Sequence, residues 1–190
     1  QAMPIKSPQR GFTLVEVMVV VAIVGITAAL ALAYLDSGKK GRTVEGYTES
    51  LADQFSLARQ RAIASQRRQR ITILADGFSH WESVQTGLAE VADPSDPNNW
   101  TYVFEKTTPR GVTIVATSDR LHVDANDSVP SAGVDVPMEI DILPDGRARS
   151  ALGGSFFESG WTVFIQDEDG KQMRAALFGV TGTASVYDGW

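Results

Sequence analysis

Gly11-Phe12-Thr13-Leu14-Val15-Glu16 opens an apolar run that meets no second charge until Asp36. Ahead of it lies a short leader that carries Lys6 and Arg10 and no acid. In an ordinary secretory signal the hydrophobic stretch comes first and the cleavage point follows it. Here the order is reversed: the basic leader ends at a glycine and the apolar stretch lies beyond. Cleavage after Gly11 would leave that stretch on the mature chain, beginning at Phe12, with a carboxylate in its first helical turns.

Working outward, residues 12–35 are long enough to matter to a membrane. A helix over that segment reaches about 36 Å at about 1.5 Å per residue, against a hydrocarbon core of about 30 Å. Lys6 and Arg10 flank its N-terminus, which places that end in the cytoplasm and the rest of the chain outside. Ala22, Gly25, Ala28, Ala29, Ala31 and Ala33 give the segment small faces that let helices approach closely in lipid. On hydropathy alone this is a single-pass anchor. Glu16 argues for more, because a carboxylate in the apolar region costs about 2.5–3.5 kcal/mol on insertion scales and is retained for a function.

The order of basic leader, Gly11, Phe12-Thr13-Leu14-Val15-Glu16 and apolar helix closely resembles the signal of type IV pilins and type II secretion pseudopilins. The resemblance covers roughly the first 25 residues. It implies that prepilin peptidase cuts between Gly11 and Phe12, that Lys6 and Arg10 belong to the recognised leader, and that Phe12 is N-methylated. It implies also that Glu16 pairs with the new amine of a neighbouring subunit and sets register in a helical assembly. One departure stands out: major type IV pilins usually carry a proline in mid-helix, and none lies between Phe12 and Leu35. That suits a minor pilin or a pseudopilin.

The chain of 190 residues holds one ordinary domain beside such a helix, and its lack of cysteine excludes disulfides, thiolate metal sites and cysteine catalysis. Charge is unevenly placed. Residues 36–70 carry eight basic against four acidic side chains, whereas residues 71–190 carry seven basic against eighteen acidic. An acidic head argues against general nucleic-acid binding.

Gly38, Gly41 and Gly46 suggest a flexible neck over residues 36–47. Beyond it Leu51, Phe55, Ala58 and Ala62 recur at helical spacing, with Leu57 and Ile63 beside that face, predicting an amphipathic helix over residues 48–69. Residues 70–190 read as short strands between turn residues, at 70–75, 80–85, 101–105, 112–117, 138–143, 161–166, 172–178 and 184–187. The expected domains are thus a leader at 1–11, an assembly helix at 12–35, the neck, and an extracytoplasmic head at 48–190. The expected fold class is α+β, a long N-terminal helix packed on an antiparallel sheet or small sandwich. Leu57-Ala58-Arg59 through Ala62-Ile63, then Ile142-Leu143-Pro144-Asp145-Gly146 and Val180-Thr181-Gly182, resemble the GspH/FimT/FimU type of minor subunit.

Several residue groups invite a chemical reading. Arg59, Arg61, Arg67, Arg68 and Arg70 could hold phosphate, but they share no narrow helical face and no aromatic platform is interleaved with them. Asp93, Asp96, Asn98 and Asn99, or Asp124, Asn126, Asp127 and Ser128, offer oxygens for calcium, yet in the second cluster Val129 stands where a calcium loop needs glycine, and acidic turns account for both. His80 and His122, the two histidines, come with no nucleophile-elbow or metal-pair spacing. Trp81, Trp100, Trp161 and Trp190 read as fillers of the sheet core and its edges, and a terminal tryptophan could instead dock on a neighbour.

The sequence therefore reads as a structural subunit with no catalytic residues, metal, cofactor or small-molecule substrate. By resemblance it is a minor pilin in the tip or priming complex of a type IV pilus. The alternatives are an H-type minor pseudopilin of the type II secretion pseudopilus and a DNA-binding minor pilin. Its implied partners are other minor and major pilins or pseudopilins, prepilin peptidase and the inner-membrane assembly platform. Its implied location is the bacterial inner membrane, head in the periplasm, and then the fibre tip.

Overall fold

The computed structural model describes residues 14–88, 91, 93, 95–124, 137–151 and 160–190, with the side chains of residues 29–42 outside that description. Lys6, Arg10, Gly11 and Phe12 lie outside the described residues, as do Asn126, Asp127 and Ser128. The chain divides into two compact units, one ending at Lys39 and one running from Lys40 to Trp190.

Helix α1 spans Leu14–Ser65. In the first unit its described apolar side chains are exposed all round: Leu14 is 76% accessible, Met18 64% and Val24 59%. A helix that is apolar on every face is one that lipid or partner helices cover. Thr27 fits that setting, since its hydroxyl donates back to the carbonyls of Ile23 at 2.9 Å and Val24 at 3.0 Å. Among the described residues no helix is long and apolar enough to cross a membrane, and the 12–35 segment runs past the described side chains at residue 29.

The second unit holds the head. Val44, Tyr47, Leu51, Phe55, Ala58 and Ala62, spaced three or four apart, are each no more than 1% accessible and form the buried stripe of α1. The structure differs here from the sequence expectation in two ways. Residues 36–47 are helical, so the glycines do not break α1, and Val44 and Tyr47 already belong to the core. At the other end the helix stops at Ser65, not at residue 69, because Gln66 turns into the left-handed region with φ of 54°. Its side-chain amide donates to the Ile63 carbonyl at 2.8 Å, satisfying one of the helix's orphan acceptors.

The strands follow as β1 Arg67–Leu74, β2 Gly77–Thr86, β3 Trp100–Thr107, β4 Val112–Ser118, β5 Met138–Ile142, β6 Ala148–Ser150, β7 Gly160–Asp167, β8 Gln172–Phe178 and β9 Thr183–Asp188. They form two antiparallel sheets, ordered β3-β2-β1-β5-β6 and β4-β7-β8-β9. Ile71, Ile73, Phe78, Ile140 and Ile142 from the first sheet meet Val163, Ile165, Ala175 and Leu177 from the second and the α1 stripe in one core. The α+β head with a helix on antiparallel sheets is as expected. The short β6 was not.

The three stretches that carry the GspH/FimT/FimU resemblance converge in this head. A side chain built at Gly146 would meet Ile63 and Arg59, and one at Gly182 would strike the Gly146 carbonyl and Arg59. Both glycines have positive φ, 85° and 61°. The Gly179 carbonyl accepts from the Ala148 amide at 2.7 Å, joining the β8–β9 turn to β6 of the other sheet.

Candidate functional site

The five arginines of the sequence reading do not make one surface. Arg59 and Arg61 lie on α1, whereas Arg67, Arg68 and Arg70 lie on β1. Arg61 is exposed and Arg59 is half-buried against Gly146 and Gly182. Arg67 approaches Glu82 at 3.8 Å. Arg68 and Arg70 are buried, 2% and 6% accessible, and converge on Asp141 of β5. Arg70 Nε reaches Asp141 Oδ1 at 2.8 Å, Arg70 Nη2 and Arg68 Nη1 reach Oδ2 at 3.3 and 3.4 Å, and Glu139 takes Arg70 Nη1 at 3.3 Å. Register explains the meeting, since Arg70 sits opposite Asp141 across β1 and β5. Two of the five candidates are thus buried and paired with carboxylates inside the head.

The same face of the sheet forms a groove of about 700 Å³ lined by Arg70, Thr72, Ser79, Trp81, Trp100 and Glu139, among others. Trp100 stacks on Arg70, with the guanidinium carbon 4.1 Å from the ring centre, and Trp81 meets Tyr102 edge-on at 5.4 Å. The aromatic lining missing from the linear sequence near the arginines is supplied by β2 and β3. Trp161 is a core residue, and Trp190 packs edge-on against Phe164 at 5.3 Å.

On the opposite face His80 is fully buried between α1 and β1. Its Nδ1 accepts from the Gln54 amide at 2.6 Å and its Nε2 donates to Gln69 Oε1 at 2.8 Å, and Gln69 Nε2 in turn donates to Glu82 at 3.0 Å. That chain of bonds needs the neutral ring. Burial first, and the Arg61 charge second, push its pKa down to about 4. His122 Nε2 lies 3.0 Å from the Ser118 hydroxyl, but Ser118 also caps a turn by accepting from the Arg120 amide. The pair reads as a loop tie.

The first acidic cluster is spent on local capping. Asp93 Oδ1 accepts from the Ser95 amide and hydroxyl, and Asp96 Oδ1 accepts from the Asn98 amide and side chain at the start of the short helical turn Pro97–Asn99. The Ser95 contacts hold the Asp93 carboxyl below the usual carboxylate range. Among the described residues no group of three acidic or histidine side chains is placed to hold a metal ion.

Glu16 lies exposed in the first turn of α1 amid exposed Leu14, Val15, Val17 and Val20. Residues 6–32 match the family model described as the prokaryotic N-terminal methylation motif. This N-terminal segment is that of the type IV pilin and pseudopilin superfamily. The pilin-type segment also matches a type IV major fimbrial protein FimA of Dichelobacter nodosus, 54% identical over 53 residues, 27% of this chain and 32% of that one. A fimbrial protein of Moraxella nonliquefaciens is 43% identical over 70 residues, 36% of this chain and 41% of that one. The chain spans about a third of the length of the first of these relatives. Among solved structures, the minor pseudopilin EpsH from the type 2 secretion system of Vibrio cholerae aligns with 77% of this chain and 97% of its own. That alignment has a TM-score of 0.47 and 14% identity.

Proposed function

We propose that the protein is a minor pilin, a structural subunit that joins the tip or priming complex of a type IV pilus through its N-terminal helix. The observation that carries this reading is the methylation motif over residues 6–32, with Glu16 set in the first turn of an apolar helix. Prepilin peptidase trims the chain after Gly11, Phe12 becomes the methylated N-terminus, and its cationic amine meets Glu16 of a neighbour in low dielectric. There a charge pair is worth far more than in water, so the contact fixes register while the surrounding apolar and small residues supply cohesion. The absence of proline between Phe12 and Leu35 favours a minor over a major subunit.

Before assembly the helix is held in the inner membrane with the head outside, and the assembly platform and other pilins are its partners. The role needs no cofactor and no enzymatic step. A clean deletion tests it: loss of surface pili, restored by the gene in trans, supports the reading. Intact pili with a failure to export folded proteins would move the subunit to the type II secretion pseudopilus. Loss of DNA uptake alone would make it a DNA-binding pilin.

A further inference from the structure

We propose that the groove on the outer face of the first sheet is a recognition site for a lysine- or arginine-bearing segment of a partner protein. The proposal goes beyond the helix-driven assembly above and does not depend on it. Strand register builds the site as two cross-strand rows. One runs Tyr102, Trp81, Arg70, Asp141 and the other Glu105, Ser79, Thr72, Glu139, reading from β3 through β2 and β1 to β5. The second row places a carboxylate at each end of a pair of small hydroxyl residues.

The charges divide unequally between structure and groove. Arg68 and Arg70 are matched by Asp141 and Glu139. Of the charged residues that line the groove, Asp93 and Glu139 outnumber Arg70; exposed Glu105 lies at the β3 end of the second row, and Arg149 faces Asp141 across β5 and β6. Glu139 keeps 32% of its side chain accessible. A cation is therefore the complementary guest. The half-buried indole of Trp81 gives its aliphatic stem an apolar wall, beside the Trp100 ring that already stacks on Arg70. An anion would meet Glu139 and Asp93 with both buried guanidinium groups already engaged, which argues against phosphate or nucleic acid in this groove.

The test uses the full, isotope-labelled chain in a non-ionic detergent. The probe is the acetylated, amidated pentapeptide Gly-Lys-Lys-Gly-Arg, and its comparator has glutamine in place of each basic residue. The basic peptide is expected to shift the indole N–H resonances of Trp81 and Trp100, with affinity falling as sodium chloride is raised. Glu105→Gln should weaken it about three- to tenfold. Glu105 is exposed on an edge strand, so an unchanged thermal midpoint verifies that this variant folds. Equal binding of the two peptides, indifference to Glu105→Gln, or no indole shift at millimolar peptide would each overturn the proposal. A shift with neutral maltohexaose and none with the basic peptide would reassign the groove to carbohydrate and overturn it as well.

Discussion

Asp141, only 1% accessible, takes charge-assisted hydrogen bonds from two buried arginines. Neutralising it strands two guanidinium groups away from water, the costly direction for a buried pair. Asp141→Asn should therefore lower unfolding free energy by about 3–5 kcal/mol in a urea titration, whereas half-buried Glu45→Gln, whose contact with Lys171 at 3.4 Å is open to solvent, should change little. Tyr47 makes the opposite prediction. Its hydroxyl is buried without a partner among the described residues, and burial together with Asp76 raises its pKa. Tyr47→Phe removes an unsatisfied group, so its thermal midpoint should match or exceed the parent's. For His80, the folded pKa of about 4 lies below the unfolded value near 6.5. The unfolded chain then binds the extra proton between those values, so stability is full above about pH 6.5 and falls as pH drops toward 4. Unfolding titrations should show a loss of roughly 2–3 kcal/mol across that window from this group, and His80→Asn should lack it. None of these partnerships was legible in the sequence: β5 shows its acidic alternation plainly, but only strand register says that Asp141 faces Arg70.

Elements were easier to read than their ends. Leu51, Phe55, Ala58 and Ala62 announce the helix stripe by spacing alone, and every strand read from the sequence exists within a few residues. Gly46 hid the continuation of that stripe to Val44 and Tyr47. It falls on the exposed side, where a side chain would meet nothing within 4 Å, so the helix passes through it without penalty to packing. The start of β1 was missed for a different reason. Arg67-Arg68-Gln69-Arg70 has no apolar alternation, because Gln69 faces a buried histidine and Arg68 and Arg70 face a buried aspartate. The three-residue β6 has no periodicity to detect. Where elements cross, Gly182 is the sensitive point: its φ of 61° and its closeness to the Gly146 carbonyl leave no room for a methyl group. Gly182→Ala should cost about 2 kcal/mol or more, seen as a lowered thermal midpoint. Gly46→Ala should leave that midpoint unchanged or raise it.

For the whole molecule, the pilin-type signal was legible from the first residues because it is written in linear order: basic leader, glycine, aromatic, acid, apolar helix. The groove was not, because its walls come from β1, β2, β3 and β5 and from the turn at Pro97–Asn99. Glu16→Ala should leave the protein in the membrane fraction, since it removes a charge from an apolar helix, yet deplete it from sheared fibres by tenfold or more. Wild-type incorporation of that variant would remove the role given to the carboxylate. The most direct measurement is the mass of the N-terminal peptide of this subunit recovered from assembled fibres. The expectation is a chain that begins at an N-methylated Phe12. A fibre-borne subunit that still carries Gly11 and the residues before it would contradict it.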